Sequence, residues 1–499
     1  INLSIAQSFL RAKEVGIKKI LGSSKWKVVR QFLTESFIVS LLATVLSGFL
    51  LYALLPLIIT LLNLDVDLAT FLKPELIIGA VSFIVLGVII TGYYPATLLS
   101  SFEPIKIVRG KFSASPAGNK WRHVLVIVQF SCALFLMICT VGIYQQISHM
   151  KSQNLGVNIN NKVTFKAPII RDSLYDDRIK TLLTELKTNT LIENFTSSST
   201  VPGMPHEFKI GGVRRQNAGN EDVSHFGLTY IDQNFANVFD LEFIEGENLT
   251  EASEADVEAA LINETAVYVL GFENAASAIG ERVIIPRGVV TIKGVIRDFH
   301  NQSLKHDFEP SIYRLRNEGF KNHHTLSYPP DTKVSEVIQL VQELWNENYG
   351  ADPLDLFMVD ENYNNQYTTD LNFANLVLLF AMVAIVVTCL GLYSFTSLNL
   401  QNQQKDVAIK KVLGANILGL LLAFYKKYLK LLLLASVFSC PLAFYFLRGW
   451  LNGFAFRMSP GLELFLVPIS IILILMIATI SGIILKTTRT NPVTVIRSE

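Results

Sequence analysis

The chain has 499 residues, of which 50% are hydrophobic and only 17% are charged. A soluble globular protein of this length needs more charge to cover its surface, so that class is excluded. The formal net charge of +1 also argues against a nucleic-acid partner, because nucleic-acid binding depends on a basic excess. The distribution of the charges along the chain is more informative than their sum.

Several apolar stretches are long enough to cross a bilayer as helices, since about 20 residues cover about 30 Å of hydrocarbon. A further stretch, 417–447, contains three lysines, and we expect these to lie at the membrane interface with Leu431–Leu447 as the core. An amphipathic helix on the membrane surface is the alternative for that stretch. The uncharged stretches are Ser36–Leu64, Leu76–Phe102, Val124–Met150, Leu371–Gln404 and Leu464–Leu485.

Basic residues are concentrated at the start of the chain, in two links between spans and in the C-terminal tail. Short cytoplasmic segments of membrane proteins carry an excess of Lys and Arg. These four segments are therefore predicted to be cytoplasmic, which places residues 151–370 outside the cytoplasm.

A ten-residue sequence occurs twice in the chain, as Lys13–Gly22 and as Lys405–Gly414, with seven of its ten positions identical. A second pair of similar segments, Pro104–Arg109 and Pro492–Arg497, follows in the same order. A sequence that recurs in the same order indicates that the chain contains the same structural unit more than once. We interpret residues 120–499 as one complete unit and residues 1–112 as the last half of a preceding unit. The intact protein is therefore expected to have eight spans, of which this chain contains six.

The first copy of the repeat is predicted to form a short cationic helix joined to a span. Val15, Ile17 and Ile20 alternate with lysines at helical spacing, and Gly22 ends the pattern. Ser24 is a candidate N-cap for a second helix beginning at Lys25. A simple anchor for anionic lipid headgroups would have the same composition. The close repetition instead favours two copies of one docking surface.

The extracytoplasmic segment is predicted to be an α+β domain. Its strand candidates are rich in β-branched residues, and its helix candidates have one apolar face. The strands are Val163–Phe165, Leu228–Ile231, Val283–Ile285 and Val290–Ile296, and the helices are Asp176–Thr190 and Val334–Asn348.

No motif for chemistry stands out in the sequence. There is no phosphate-binding loop, so an enzyme that hydrolyses ATP on this chain is not expected. His300, His306, His323 and His324 invite a metal site, but solvated or core histidines are the preferred interpretation. The cysteines Cys132, Cys139, Cys389 and Cys440 all lie in apolar runs, as small hydrophobic residues do. We therefore predict no catalytic residue, no cofactor and no metal.

Three patterns together resemble the bacterial ABC-transporter permeases of the MacB/FtsX-like type. They are the repeated basic segment, the ending Tyr94-Pro-Ala with Pro104 and Arg109, and a set of motifs in the α+β domain. Those motifs are Tyr230–Phe235, Leu241–Gly246, Asn263–Ala266, Gly271, Phe272, Gly280, Gly294–His300, Ser303, Leu304 and Pro310.

The resemblance implies a membrane α-helical bundle with a MacB-like periplasmic core domain in the bacterial inner membrane. The first half-permease is 1–112, with a coupling segment at 13–31 and spans at about 32–63 and 76–101. A span and stalk at 120–150 leads to the core domain, 151–370. The second permease domain, 371–499, then has a span at 371–400, a coupling segment at 405–414 and spans at about 424–447 and 464–485.

The resemblance further implies a partner, a dimer of a separate cytoplasmic ABC ATPase, whose motion passes through coupling segments and stalk helices to the outside. The cargo would be a lipoprotein, a peptide or an antibiotic, with an outer-membrane partner left open. An envelope sensor or scaffold that regulates a cell-wall hydrolase without transport is the alternative. The coupling residues are Lys13, Glu14, Val15, Gly16, Lys18, Lys19, Gly22, Lys405, Asp406, Lys410, Lys411 and Gly414.

Overall fold

The computed structural model describes residues 12–62, 73–89, 92, 116–168, 174–216, 224–251, 254–286, 288–316, 321–350, 352–402 and 417–488. The chain divides into two compact units. The membrane unit is helical and comprises Ile1–Gln146, Asp370–Trp450 and Ser459–Glu499. The α+β unit comprises Ile147–Thr369 together with Leu451–Met458, a short segment from much later in the chain.

The described helices belong to both units and are numbered in chain order. They are α1 (Ala12–Ile20), α2 (Lys25–Leu62), α3 (Pro74–Val88), α4 (Pro116–Ser152), α5 (Tyr175–Thr188), α6 (Phe235–Val238), α7 (Glu264–Val269), α8 (Ala275–Ala278), α9 (Val334–Tyr349), α10 (Val359–Asn365), α11 (Thr368–Asn402), α12 (Ile417–Leu451) and α13 (Glu463–Thr488).

The described strands all belong to the α+β unit. They are β1 (Lys162–Lys166), β2 (Asn194–Ser198), β3 (Phe208–Arg215), β4 (Ser224–Ile231), β5 (Phe243–Gly246), β6 (Ala259–Asn263), β7 (Arg282–Ile285), β8 (Gly288–Ile296), β9 (Ser311–Leu315), β10 (His323–Ser327) and β11 (Leu356–Met358).

Five of the described helices are long and apolar enough to cross a membrane, namely α2, α4, α11, α12 and α13. The first half of the predicted span at 76–101 corresponds to α3. Of the remaining residues of that span, only 89 and 92 are among the described residues. Helix α12 runs without a break through Lys426, Lys427 and Lys430, so the lysine-containing stretch is a long helix. The prediction of a membrane α-helical bundle is confirmed.

The spans of the membrane unit approach one another closely where a residue is small. A Cβ added to Gly142 on α4 would lie 2.8 Å from Leu447 Cδ1 on α12, and one added to Gly391 on α11 would overlap Gln129 on α4. Thr396 on α11 donates a hydrogen bond of 2.8 Å to the hydroxyl of Tyr428 on α12. Small residues and interhelical hydrogen bonds are what hold helices together in lipid, where hydrophobic burial gives little driving force.

The first layer of the α+β unit is a sheet of β11, β1, β10 and β2, covered on one face by α5 and α9. Val163 and Phe165 on β1 point into this helix-covered core, which explains their apolar identity. On α9 the buried residues Val337, Val341 and Trp345 recur every fourth position, as one face of a helix requires.

The second part of the α+β unit is a closed barrel of six strands. The order β4–β3–β7–β8–β6–β9 returns to β4 through a parallel pairing in which Gly227 faces Ser311 and Ile231 faces Leu315. Phe226, Leu228 and Ile312 lie in the apolar interior of this barrel. The predicted strands and helices of the domain all correspond to described elements, and the predicted α+β class is confirmed.

Candidate functional site

Helix α1 and the start of α2 form the first predicted coupling segment, which we call the coupling elbow (residues 12–31). Glu14 in the first turn of α1 forms an ion pair with Lys18 one turn later, with 2.7 Å between Oε1 and Nζ. Lys18 also donates a hydrogen bond of 3.3 Å to the side-chain oxygen of Gln31 on α2. The acidic residue at the start and the lysines at the end complement the helix dipole. A sequence of alternating charge is therefore locally helical, and one of its lysines also contacts the following helix.

The turn between α1 and α2 is fixed at both sides by backbone geometry. Gly22 has φ +90, and the amides of Gly22 and Ser23 donate to the carbonyls of Lys19 and Lys18, at 3.1 and 3.0 Å. This is the Schellman arrangement that ends a helix, and it requires the left-handed conformation that glycine adopts without strain. The hydroxyl of Ser24 accepts a hydrogen bond from the amide of Lys27 at 3.4 Å, and α2 begins at Lys25. The predicted N-cap is confirmed.

The elbow buries one apolar face and exposes another. Val15 on α1 and Val28 and Val29 on α2 are buried, with exposed fractions of 3 to 6%. Ile17, Ile20, Leu21 and Trp26 are exposed, and Leu21 is 80% exposed. The described part of the elbow therefore presents an apolar patch surrounded by lysines.

The lysines of the elbow repel one another. Partial burial, with the nearby charge of Lys25, lowers the pKa of Lys19 below its ordinary value. A like charge beside an ammonium group disfavours its charged form, so an acidic partner at this position would be favoured.

The structure brings Glu14, Val15, Lys18, Lys19 and Gly22 together on one turn and a half of helix and its cap. Lys13 and Gly16 lie in α1, but their side chains are outside the described residues. The second copy, with Lys405, Asp406, Lys410, Lys411 and Gly414, also lies outside the described residues.

The sequence analysis missed a second feature, which we call the junction loop (residues 298–309 of the α+β unit). The amide of His300 donates to the carbonyl of Leu155 at 2.9 Å, three residues beyond the end of α4. The amides of Ser303 and Leu304 donate to the side chains of Gln366 and Tyr367, directly before α11, at 2.8 and 3.2 Å.

The junction loop also holds the segment Leu451–Met458, which joins α12 to α13. The amides of Ala455 and Phe456 donate to the carbonyls of Lys305 and Leu304 at 3.1 and 3.2 Å. The ring of Phe456 lies edge-on against His300, with a centroid distance of 4.6 Å. One loop of the α+β unit therefore contacts all three of its segments that continue into membrane helices. The sequence analysis placed these residues only between the predicted spans at about 424–447 and 464–485.

The histidines singled out in the sequence do not form a metal site. His324 is buried and hydrogen-bonded with Ser197 at 2.8 Å, while His300 packs against Phe308 and Phe456. His306 is exposed. Among the described residues, no group of three or more His, Cys, Asp and Glu side chains is arranged to hold a metal ion.

Comparison with protein families matches two parts of the chain. The family described as FtsX-like permease C-terminal is found at residues 1–104 and again at residues 378–490. Both segments are FtsX-like permease domains. Each contains one copy of the repeated basic segment, so the permease contains this domain twice. Its described helices include five that are able to cross a membrane, and its second compact unit is an α+β unit.

Solved structures similar to the permease include the periplasmic region of MacB from Actinobacillus actinomycetemcomitans. That alignment has 16% identity and a TM-score of 0.30, and it covers 42% of this chain and 94% of the other. Another is the extracellular domain of the ABC-type transporter YknZ from Gram-positive bacteria, with 13% identity and a TM-score of 0.30, covering 40% and 100%. No curated protein matches the chain. The assignment of the chain as a permease rests on the two matched domains.

Proposed function

We propose that the permease transmits the motion of a separate cytoplasmic ABC ATPase dimer to its extracytoplasmic α+β unit in the bacterial inner membrane. The observation that carries this proposal is the coupling elbow, a cationic helix capped by Gly22 and fixed to the membrane helix α2. The elbow sequence is repeated at 405–414 directly after α11. Two similar docking segments match the two subunits of an ATPase dimer.

The surface of the elbow is suited to a protein partner. Its exposed residues Ile17 and Ile20 lie on a short helix and Leu21 directly follows it, and apolar residues presented in this way bind into apolar grooves of partner proteins. The lysines around the patch would fix the orientation through acidic residues at the rim of such a groove. The capped turn would keep the helix from rotating independently of α2, so that a push on α1 moves the span.

The described residues also support transmission on the outer side. Helix α4 is continuous from Pro116 to Ser152, and its last residues belong to the α+β unit. The junction loop is hydrogen-bonded beside the ends of α4 and α11 and to the segment between α12 and α13. A displacement of any of these spans would reach the same loop. The driven event would be export or release of a lipoprotein, peptide or antibiotic.

Charge reversal tests the proposal. We expect the variant with Lys18→Glu, Lys19→Glu, Lys410→Glu and Lys411→Glu to lose association with the cytoplasmic ABC ATPase that co-purifies with the wild-type permease, because four attractive charges become repulsive. Co-purification of the ATPase with the permease in detergent measures the loss, which we expect to exceed about tenfold.

The matched control is Lys73→Glu, since Lys73 is an exposed lysine at the start of α3 and is predicted to face the opposite side of the membrane. Association should be retained in that variant. Equal ATPase recovery with the wild type and the fourfold variant would contradict the coupling assignment. ATPase that binds but is never stimulated by the permease would instead favour a sensor or scaffold.

A further inference from the structure

One end of the six-stranded barrel contains a cavity of about 320 Å³. Its walls come from the first part of β3, the second part of β4 and β9, and the end of β7. Most of the lining is apolar, and its buried charged residue is an arginine: the inner walls are formed by Phe208, Ile210, Leu228, Tyr230, Ile285 and Arg314. Pockets of this volume with apolar walls and few polar groups are typical of small-molecule sites.

Arg314 is buried at this end of the barrel. It is only 9% exposed, its Nη2 donates to the carbonyl of Val257 at 3.1 Å, and its Nε has no hydrogen-bond partner. Within the part of the chain that the structure describes, no carboxylate forms an ion pair with it. Burial of this charge without an ion pair carries a desolvation cost that a bound anion would offset.

The charged residues at the mouth of the cavity nearly cancel one another, so the guanidinium of Arg314 dominates the net charge of the lining. Its exposed lining residues Glu207 and Lys209 carry opposite charges. Nearby, Arg316 lies over the ring of Tyr230 at 5.9 Å from its centroid, and the ring of Phe208 meets that of Tyr230 edge-on at 5.5 Å. A ligand entering the cavity would pass aromatic surface before it reaches the buried guanidinium.

We infer that this end of the barrel binds a small monocarboxylate with an apolar tail, with Arg314 holding the carboxylate and the apolar walls holding the tail. A guanidinium forms strong, directional hydrogen bonds to a carboxylate. The carboxylate belongs either to a fatty acid or to the C-terminus of a short apolar peptide.

The inference goes beyond the proposed function, because ligand binding needs neither the ATPase nor nucleotide. The experiment is isothermal titration of the full chain in lipid nanodiscs, with empty nanodiscs subtracted to remove partition into lipid. The lipid arm compares sodium octanoate with octanol. The peptide arm compares N-acetyl-Leu-Leu with its C-terminal amide. We expect saturable binding of at least one carboxylate and none of its uncharged counterpart.

Arg314→Met decides the role of the guanidinium. Loss of a charge-assisted hydrogen bond should weaken carboxylate binding about 10- to 100-fold. Thermal stability should be kept or raised, since a buried charge without an ion pair is replaced by an apolar side chain of similar size. If Arg314→Met does not fold, Arg314→Lys serves as the second variant, with weaker binding expected because the planar fork is lost.

The matched control is Arg297→Met, because Arg297 is an exposed arginine of the same unit that pairs with Glu242. Its affinity should equal that of the wild type. Binding of octanoate alone would identify a fatty acid, and binding of the peptide alone a peptide terminus. The inference would be overturned if neither carboxylate binds saturably. It would also be overturned if wild type and the Arg314 variant bind the carboxylate with equal affinity.

Discussion

His206 illustrates how a single side chain of the α+β unit is kept uncharged by its surroundings. It is 5% exposed, and its two ring nitrogens are hydrogen-bonded with the hydroxyls of Thr229 and Ser311 at 2.8 and 2.9 Å. Burial lowers the pKa of His206 to about 4, against an opposing effect of Glu309. Burial also lowers the pKa of His300, in the junction loop, to about 4. Both histidines are therefore neutral at pH 7.

The stability of the α+β unit should fall as the pH falls from about 6.5 to about 4. In that window an unfolded histidine binds a proton and folded His206 does not, so protonation favours the unfolded state. At pH 5 the lowered pKa of His206 reduces the free energy of unfolding by about 2 kcal/mol relative to its value at neutral pH. We expect His206→Gln to lower the thermal midpoint at pH 7.5 and to show a smaller further loss at pH 5 than the wild type.

Scanning calorimetry of the full chain at the two pH values measures this difference. His225→Gln is the control, because His225 is an exposed histidine on β4, the strand that also contains Thr229. It should keep the pH dependence of the wild type. An unchanged pH dependence in His206→Gln would contradict the assignment.

At the scale of elements, the spans of the membrane unit pack where glycine permits close approach. Gly142 on α4 faces Leu447 on α12, which is 1% exposed and has little room to move. A third helix is close by, since a Cβ at position 142 would also lie 3.3 Å from Leu464 Cδ1 on α13. Gly482 on α13 has no atom within 4 Å of the corresponding position. The two glycines therefore differ in packing although both lie inside long apolar helices.

Gly142→Ala should destabilise the membrane unit by about 1–3 kcal/mol, because the added methyl group overpacks a filled interface. Gly482→Ala should be neutral or stabilising by up to about 1 kcal/mol, because alanine favours the helix. Unfolding in mixed micelles with increasing dodecyl sulfate compares the two. Leu447→Val in the Gly142→Ala background should recover part of the loss. Equal effects of the two alanines would show that α4 and α12 do not meet at this point.

At the scale of the whole molecule, the proposed function requires the coupling elbow and the α+β unit to lie on opposite sides of the membrane. The coupling elbow belongs to the membrane unit, and the barrel and its sheet belong to the α+β unit. The free cysteines Cys132, Cys139, Cys389 and Cys440 all lie in membrane helices. A chain with these four replaced by alanine is therefore suited to mapping membrane sides by single new cysteines.

We expect Tyr268→Cys to react with a membrane-impermeant maleimide in intact spheroplasts, because Tyr268 is 62% exposed in the extracytoplasmic unit. Leu21→Cys, at the exposed tip of the elbow, should react only after the membrane is permeabilised. Gel-shift labelling measures both. Labelling of Leu21→Cys from outside would place the elbow beyond the reach of a cytoplasmic ATPase and would refute the proposed function.

Local patterns in the sequence were sufficient for the membrane helices and for four of the eleven described strands. The apolar stretches predicted the membrane helices, and Gly22 and Ser24 predicted the boundary between α1 and α2. The β-branched residues of Val290–Ile296 predicted part of β8. Each of these features depends on interactions among residues close in the chain, so a sequence window contains the information.

The sequence by itself determined the apolar membrane helices, the repeated cationic segment and the presence of an α+β domain between the spans. Only the tertiary structure decided that Leu451–Met458 joins the α+β unit, that β4 closes a barrel by pairing with β9, and that Arg314 is buried at its end. These features depend on pairings between residues far apart in the chain. Local periodicity cannot predict them, because they involve residues that are distant in the sequence. Closing such long loops costs chain entropy, and only the packing of the complete unit offsets that cost.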